Sequence, residues 1–175
     1  MNRSLPRFLQ GALDKKATLL AFVLGLATIA AAWGSQLIGG LVPCELCLEQ
    51  RLSYYWGLPV LAAILVLWNR LPLAVWYIAM AVAAAIFAWG TYMGAYHAGV
   101  EWGFWPGPTA CTGLGSTDLS FGDLSGEIEA VIPCDKVQFR FLGISLAGYN
   151  ALISLAIVGL LLIAIVDQVR RYKKA

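Results

Sequence analysis

The chain has 175 residues, of which 60% are hydrophobic and only 13% are charged, and its mean hydropathy is +0.74. This composition excludes a disordered chain and a nucleic-acid-binding protein, and it indicates an integral membrane protein. The net charge of +2 is less informative than its distribution, because basic residues cluster near both ends and most acidic residues lie between Glu101 and Asp135.

The first apolar segment begins directly after four basic residues near the N-terminus. It carries no charge between Lys16 and Glu45, and its apolar run extends from Ala17 to Val42. The core of a cleavable signal peptide is only about 7 to 15 residues long. We therefore expect an uncleaved first transmembrane helix.

Four uncharged stretches are long enough to cross a hydrocarbon core of about 30 Å. The second of them, Leu52–Trp68, is the shortest, and it spans the membrane only if its helix begins near Cys44. We therefore predict an all-α membrane protein, a four-transmembrane-helix bundle in a single domain (1–175) with one long loop at about 97–140. The predicted helices cover about 17–41, 45–68, 72–96 and 141–166.

Basic residues are distributed unequally between the two sides of this predicted bundle. The two termini and the turn at Arg70 hold nine Lys or Arg residues, whereas the opposite side holds three. By the positive-inside rule, both termini should face the cytoplasm. All four cysteines would then lie on the outer side, where disulfides form and persist.

The long loop contains two further patterns. Trp102, Phe104 and Trp105 are typical of an aromatic belt at the membrane interface. Apolar residues recur at helical spacing within 119–132, which predicts a short helix lying on the bilayer. Two glycines in that segment weaken the prediction, and a disordered loop remains the alternative.

The segment Val42–Arg51 places two thiols and a cation at the start of an apolar helix. Pro43 is suited to the first helical position, so Cys44 and Cys47 should lie in the first turn and share one face with Arg51. A helix N-terminus and a nearby arginine both favour a thiolate and lower its pKa. This pattern indicates redox chemistry, and the alternative is two small apolar residues packed without a reactive role.

The four cysteines can pair in three ways, of which the simplest joins Cys44 to Cys47 and Cys111 to Cys134. Two such pairs could relay electrons from a soluble dithiol to the membrane boundary through mixed disulfides. The chain has no flavin or dinucleotide motif and only one histidine, which argues against haem and favours a lipid-soluble quinone as acceptor.

Two alternatives to a relay stay open. A zinc site with four cysteine ligands is disfavoured because Cys111 and Cys134 are 23 positions apart, so no metal is expected. Purely structural disulfides would stiffen the loop but would leave the position of Arg51 unexplained. Within the relay, Cys47 is one turn from Arg51, so we expect the thiolate to favour Cys47, and Cys47 to engage the quinone.

Three segments and two cysteines carry a resemblance to a known family. The segments are Pro-Cys-Glu-Leu-Cys-Leu-Glu-Gln-Arg (43–51), Tyr-His-Ala-Gly-Val-Glu (96–101) and Phe-Leu-Gly-Ile-Ser-Leu-Ala (141–147), together with Cys111 and Cys134. They resemble the DsbB family of bacterial disulfide-forming proteins over nearly the whole chain. The resemblance implies a four-helix inner-membrane enzyme that reoxidises the periplasmic thiol oxidase DsbA and passes its electrons to ubiquinone or menaquinone.

The resemblance also implies roles for the two cysteine pairs. Cys111 and Cys134 would be the loop pair that meets a DsbA-like protein of thioredoxin fold, and Cys44 and Cys47 would be the pair that meets the quinone. A related thiol oxidase serving another partner, or an enzyme similar to vitamin K epoxide reductase, is the main alternative. The non-enzymatic alternative is a membrane scaffold with disulfide-stapled loops.

Three further residues are assigned by the resemblance. Arg51 matches the family arginine that supports the quinone and the thiolate, and His97 is similar in placement to a histidine near the quinone ring. The alternative for His97 is an interfacial anchor paired with Glu101 four residues later. Glu101 departs from the family pattern, because a glutamine stands near this place in the best-known member.

Overall fold

The computed structural model describes residues 12–108 and 133–174. Within these residues the chain is almost entirely helical, with one two-residue antiparallel ladder before the last helix. The elements are α1 (Ala12–Leu37), α2 (Glu45–Val66), α3 (Leu73–Glu101), β1 (Arg140–Phe141), β2 (Ile144–Ser145) and α4 (Leu146–Lys174).

The four helices form a bundle in which each packs mainly against two neighbours, in the cyclic order α1, α2, α3, α4. The connections α1–α2 and α2–α3 are short, so consecutive helices run antiparallel. The core between them consists of large apolar side chains from α2, α3 and α4, such as Leu61, Trp76, Phe87 and Ile157, all fully buried. Dispersion and close packing hold such a core together inside a membrane.

The outer surface of the bundle is apolar as well, with many exposed leucine, valine and isoleucine side chains. Among the described residues, three helices are long and apolar enough to cross a membrane, namely Leu13–Leu37, Leu73–Glu101 and Leu146–Lys173. An apolar surface of this kind is expected where lipid replaces water. The predicted helical membrane protein is therefore confirmed for three spans, while the span predicted for α2 stays a prediction.

Helix boundaries differ from the predicted ones at both ends of the long loop. Helix α3 continues to Glu101 instead of ending at 96, so His97 and Glu101 belong to a helix rather than to the loop. Helix α4 begins at Leu146 instead of 141, because residues 140–145 form a hairpin whose turn places Leu142 at φ 49° and Gly143 at φ 82°. The predicted surface helix at 119–132 and Cys111 lie outside the described residues.

Helices α3 and α4 approach each other closely at Gly94. A Cβ atom at Gly94 would lie 2.7 Å from the backbone nitrogen of Ala151, so only glycine permits this approach. The contact lies one turn from His97 on α3 and next to Asn150 on α4. At the far end of the bundle, an ion pair between Asp14 and Arg171 joins α1 to α4.

Candidate active site

The two cysteines of the Cys-x-x-Cys segment lie at the start of α2 as free thiols. Cys44 is the N-cap residue, with φ −76° and ψ 172°, and its Sγ accepts a hydrogen bond from the backbone N–H of Cys47 at 3.4 Å. The prediction that Pro43 occupies the first helical position is therefore wrong, because Pro43 precedes the N-cap residue. The two sulfur atoms are 2.8 Å apart, within hydrogen-bonding contact of each other.

The negative charge of this pair is stabilised on Cys44. The pKa of Cys44 is lowered to about 5, chiefly by the hydrogen bond from the Cys47 thiol and also by His97, whereas burial of the sulfur acts in the opposite direction. A sulfur at a helix N-cap also gains from the helix dipole. The expectation that Arg51 would place the thiolate on Cys47 is therefore wrong for this state, because the local hydrogen bonds favour Cys44.

Arg51 is buried, and its guanidinium group is directed toward α1. It donates a 2.8 Å hydrogen bond to Oε1 of Gln36 and a 3.2 Å hydrogen bond to the carbonyl oxygen of Ala32. The guanidinium carbon also lies 5.4 Å from the centre of the Trp33 ring, a cation–π contact. These contacts hold the cation at one wall of the cavity described below.

His97 is 98% buried within α3 and faces the cysteines. Its Nε2 atom lies 3.7 Å from Sγ of Cys44, 3.3 Å from the carbonyl oxygen of Cys134 and 3.9 Å from Oε1 of Glu101. The expected contact with Glu101 at i+4 is present, and the role of His97 stays a prediction. The structure brings His97 and Cys44 together, whereas the resemblance implied only a place for His97 near the quinone ring.

Cys134 returns from the loop to the same place. It is buried and disulfide-bonded, and its expected partner, Cys111, lies outside the described residues. The Sγ atoms of Cys44 and Cys134 and a ring nitrogen of His97 all lie within 4.8 Å of one another. A thiolate and a disulfide sulfur this close need only a small displacement to exchange.

A row of hydrogen bonds leads from His97 into the middle of the bundle. Nε2 of Gln50 donates to Nδ1 of His97 at 2.6 Å, and Nδ2 of Asn150 donates to Oε1 of Gln50 at 2.7 Å. The Tyr54 hydroxyl donates to Oδ1 of Asn150 at 2.6 Å and lies 3.0 Å from Oγ of Ser154. Sequence reasoning missed Gln50 and Asn150, although a polar residue within a predicted membrane helix, such as Asn150, is a recognised functional signal.

A cavity of about 230 Å³ opens beside the cysteines and is lined by residues of all four helices. Its apolar wall includes Ile29, Ala32 and Ile153. Its polar wall includes His97, Arg51 and Glu101, together with Cys44 and Cys47, which we call the helix pair. The side chain of Glu101 is only 7% exposed, and its Oε2 atom has no hydrogen-bond partner among the described residues. Such a cavity suits a flat, mostly apolar ring that carries polar atoms at its edge.

Comparison with known proteins points to one family. The family model described as "Disulfide bond formation protein DsbB" matches residues 14–164. This range includes all four helices except the first residues of α1 and the end of α4, as well as every cysteine. No curated protein and no solved structure matches the chain significantly.

Proposed function

Because the chain belongs to the DsbB family of disulfide bond formation proteins, we propose that it reoxidises a periplasmic DsbA-like thiol oxidase and passes the electrons through two cysteine pairs to a membrane quinone. Family membership and the three apolar helices support a multi-pass protein of the inner membrane with oxidoreductase activity. The observation that carries the finer proposal is the position of Cys44, a free thiol with a lowered pKa whose Sγ lies within 4.8 Å of the disulfide-bonded Cys134.

The first half of the reaction is thiol–disulfide exchange. A thiolate of the partner protein attacks the Cys111–Cys134 disulfide, and the electron pair leaves on Cys134. The Cys134 thiolate then attacks Cys44 of an oxidised Cys44–Cys47 pair, so that a Cys44–Cys134 bond forms and the Cys44–Cys47 bond breaks. The second partner thiolate displaces Cys111, and Cys111 displaces Cys44 from Cys134, which leaves the helix pair reduced and the loop pair oxidised.

After this exchange Cys44 and Cys47 form a dithiol, and Cys111 and Cys134 form a disulfide. In the second half, the dithiol becomes a disulfide and releases two electrons and two protons, which a quinone bound in the cavity would accept. The apolar wall would contact the ring, and Arg51 would offer N–H donors to a carbonyl oxygen at its edge. The unpartnered oxygen of Glu101 could accept a hydrogen bond from the reduced ring.

The sidedness of the reaction forms part of the proposal. The nine-to-three distribution of basic residues supports cytoplasmic termini and a periplasmic position for all four cysteines. An impermeant maleimide added to intact spheroplasts after mild reduction should label Cys111 and Cys134. Labelling that requires opening of the cytoplasmic face would contradict this orientation.

The decisive experiment combines the purified protein, a reduced thioredoxin-like substrate and a soluble ubiquinone analogue, with quinone reduction followed by absorbance. We expect turnover that requires both cysteine pairs, with Cys47→Ser as the inactive control. A related thiol oxidase would show the same turnover with a different protein substrate. The absence of quinone reduction with every thiol substrate would favour the disulfide-stapled scaffold.

A further inference from the structure

The Gln50 side chain is held in one orientation by contacts on both sides of its amide. Its Nε2 atom donates to the carbonyl oxygen of Leu46 at 3.2 Å as well as to Nδ1 of His97, and its Oε1 atom accepts from Nδ2 of Asn150. Exchanging the amide oxygen and nitrogen would bring two oxygen atoms together at Leu46 and two NH₂ groups together at Asn150. The nitrogen of Gln50 therefore faces the histidine.

Asn150 is oriented in the same sense by the next group in the row. Its Oδ1 atom accepts the 2.6 Å hydrogen bond from the Tyr54 hydroxyl, so its nitrogen is directed at Gln50. The Tyr54 oxygen is then free to accept a hydrogen bond from Ser154 at 3.0 Å. Every donor in the row therefore points toward His97, and each group is buried or half-buried.

This polarity determines which nitrogen of His97 carries a proton. Because Nδ1 faces an amide N–H₂ donor, it must hold a lone pair, and the ring proton resides on Nε2. Nε2 lies near Sγ of Cys44 and the carbonyl oxygen of Cys134, both of which are acceptors. A second proton on Nδ1 would place two donors 2.6 Å apart, which the buried row opposes.

We propose that Gln50 and Asn150 are positioning residues that keep His97 singly protonated at Nε2, so that it acts on the Cys44 thiolate as a neutral hydrogen-bond donor. Cys44 and Glu101 are the ionisable groups that face the ring, together with the carbonyl oxygen of the disulfide-bonded Cys134. Helix α2 presents the uncharged Gln50 to it, and Asn150 of α4 contacts Gln50 from behind. The inference rests on the proposed function only in treating Cys44 as the reacting thiol.

The chain allows a direct test because His97 is its only histidine. Long-range ¹H–¹⁵N correlation spectra of ¹⁵N-histidine-labelled full-length protein in micelles, with the helix pair reduced, report the protonation of each ring nitrogen. We expect a protonated Nε2 and an unprotonated Nδ1 at neutral pH. A doubly protonated ring, or a proton on Nδ1 alone, would overturn the proposal without any mutation and without an activity assay.

Gln50→Glu makes the test sharper, because an ionised carboxylate of nearly the same shape can only accept a hydrogen bond. We expect a protonated Nδ1 in this variant, and in Asn150→Leu we expect a smaller shift in the same direction because Gln50 becomes free to turn. Thr91→Val is the matched control on α3, since Thr91 bonds only to the carbonyl oxygen of Phe87 among the described groups. An unchanged Nδ1 signal in Gln50→Glu would overturn the proposal.

A second readout follows the thiol itself. The rate of Cys44 alkylation against pH should show one titration in the wild type and a second inflection in Gln50→Glu, because His97 would then gain or lose a proton beside the sulfur. A structural defect alone would change the amplitude but not the number of titrations. A single, unshifted titration in a folded Gln50→Glu protein would overturn the proposal, whereas failure of quinone turnover would bear only on the proposed function.

Discussion

The two ends of the helix bundle both bury charged side chains, but their partners differ. At the terminal end, where α1 begins and α4 ends, Arg171 contacts the carboxylates of Asp14 and Asp167 directly, the latter at 3.1 Å. At the cysteine end, where α2 begins and α3 ends, the guanidinium of Arg51 donates instead to the neutral amide oxygen of Gln36. Among the described residues, Arg51 has no ion-pair partner.

This difference indicates that the charged groups of the terminal end stabilise the fold, whereas those of the cysteine end are available to a substrate. Opposite charges in direct contact cancel each other, so the ion cluster of the terminal end can fasten α1 to α4 but has little to offer a ligand. At the cysteine end, the carboxylate of Glu101 and the guanidinium of Arg51 line one cavity without pairing to each other. The uncancelled groups beside the thiols are therefore the ones that a substrate can use.

The largest effect should come from removing the sulfur that faces Cys44. In Cys134→Ser, oxidation of a thioredoxin-like partner should fall to background, because no loop disulfide can form. Reoxidation of the Cys44–Cys47 dithiol by added quinone should survive, since that step needs only the helix pair. Thiol titration of the partner and stopped-flow absorbance of the quinone measure the two steps separately, and loss of both would contradict the division of labour.

The acidity of Cys44 should depend on its neighbour. The thiolate is present above the pKa of about 5, so alkylation of Cys44 should slow only as the pH falls through that value. In Cys47→Ala the stabilising hydrogen bond is lost and the midpoint should rise toward the ordinary range, which makes the reaction at pH 6 roughly tenfold slower for each unit by which the midpoint exceeds 6. Mass spectrometry of the alkylated peptide gives the midpoint, and an unshifted midpoint would remove Cys47 as the cause.

The positive charge of Arg51 should strengthen quinone binding. In Arg51→Gln we expect the KM for a quinone analogue to rise about tenfold, the loss typical of one charged hydrogen bond. In Cys44→Ala we expect a charge-transfer band between the Cys47 thiolate and added quinone. This band should weaken when Arg51→Gln is combined with Cys44→Ala. Arg140→Gln removes an exposed cation of β1 and serves as the control. Equal effects of the two substitutions would indicate a long-range charge effect instead of a contact.

Substitutions at the terminal end should change the stability of the protein but not the chemistry of Cys44. Asp14 is 99% buried against Arg171, so Asp14→Asn should lower the free energy of unfolding by about 1 to 3 kcal/mol. Asp167→Asn should cost less, because Asp167 is more exposed. Thermal unfolding in detergent measures both variants. The alkylation midpoint of Cys44 should not move in either, and a shift would show that the two ends are coupled.

The sequence allowed the reactive groups to be predicted but not the way in which they are arranged. Cys44 and Cys47 were identified because two thiols at a helix start leave few other interpretations, and His97 was placed near the quinone ring by the resemblance. The thiolate was assigned to the wrong sulfur, because spacing along one helix shows that Cys47 and Arg51 are neighbours but not that Arg51 turns toward α1. That orientation depends on Gln36, which is 15 positions away.

The row of hydrogen bonds from His97 to Ser154 is a second feature that residue spacing along the sequence cannot predict. Gln50 and Asn150 are separated by 100 positions, and their contact joins α2 to α4, which are not consecutive helices. The end of α3 was also missed, since the small residues after Tyr96 have no strong helix signal. Its extension to Glu101 is what carries His97 and the carboxylate into the bundle.

The hairpin before α4 limits how far Cys134 can travel. Six positions separate Cys134 from Arg140, where β1 begins, so even a fully extended segment would let the sulfur move about 20 Å from that anchor. One sulfur confined to a hemisphere of that radius has an effective concentration of roughly 0.1 M at Cys44, above the millimolar level of ordinary flexible linkers. A small thiol present at millimolar concentration would therefore compete poorly with Cys134 for the helix pair, and the short tether would keep electrons on the route toward the membrane.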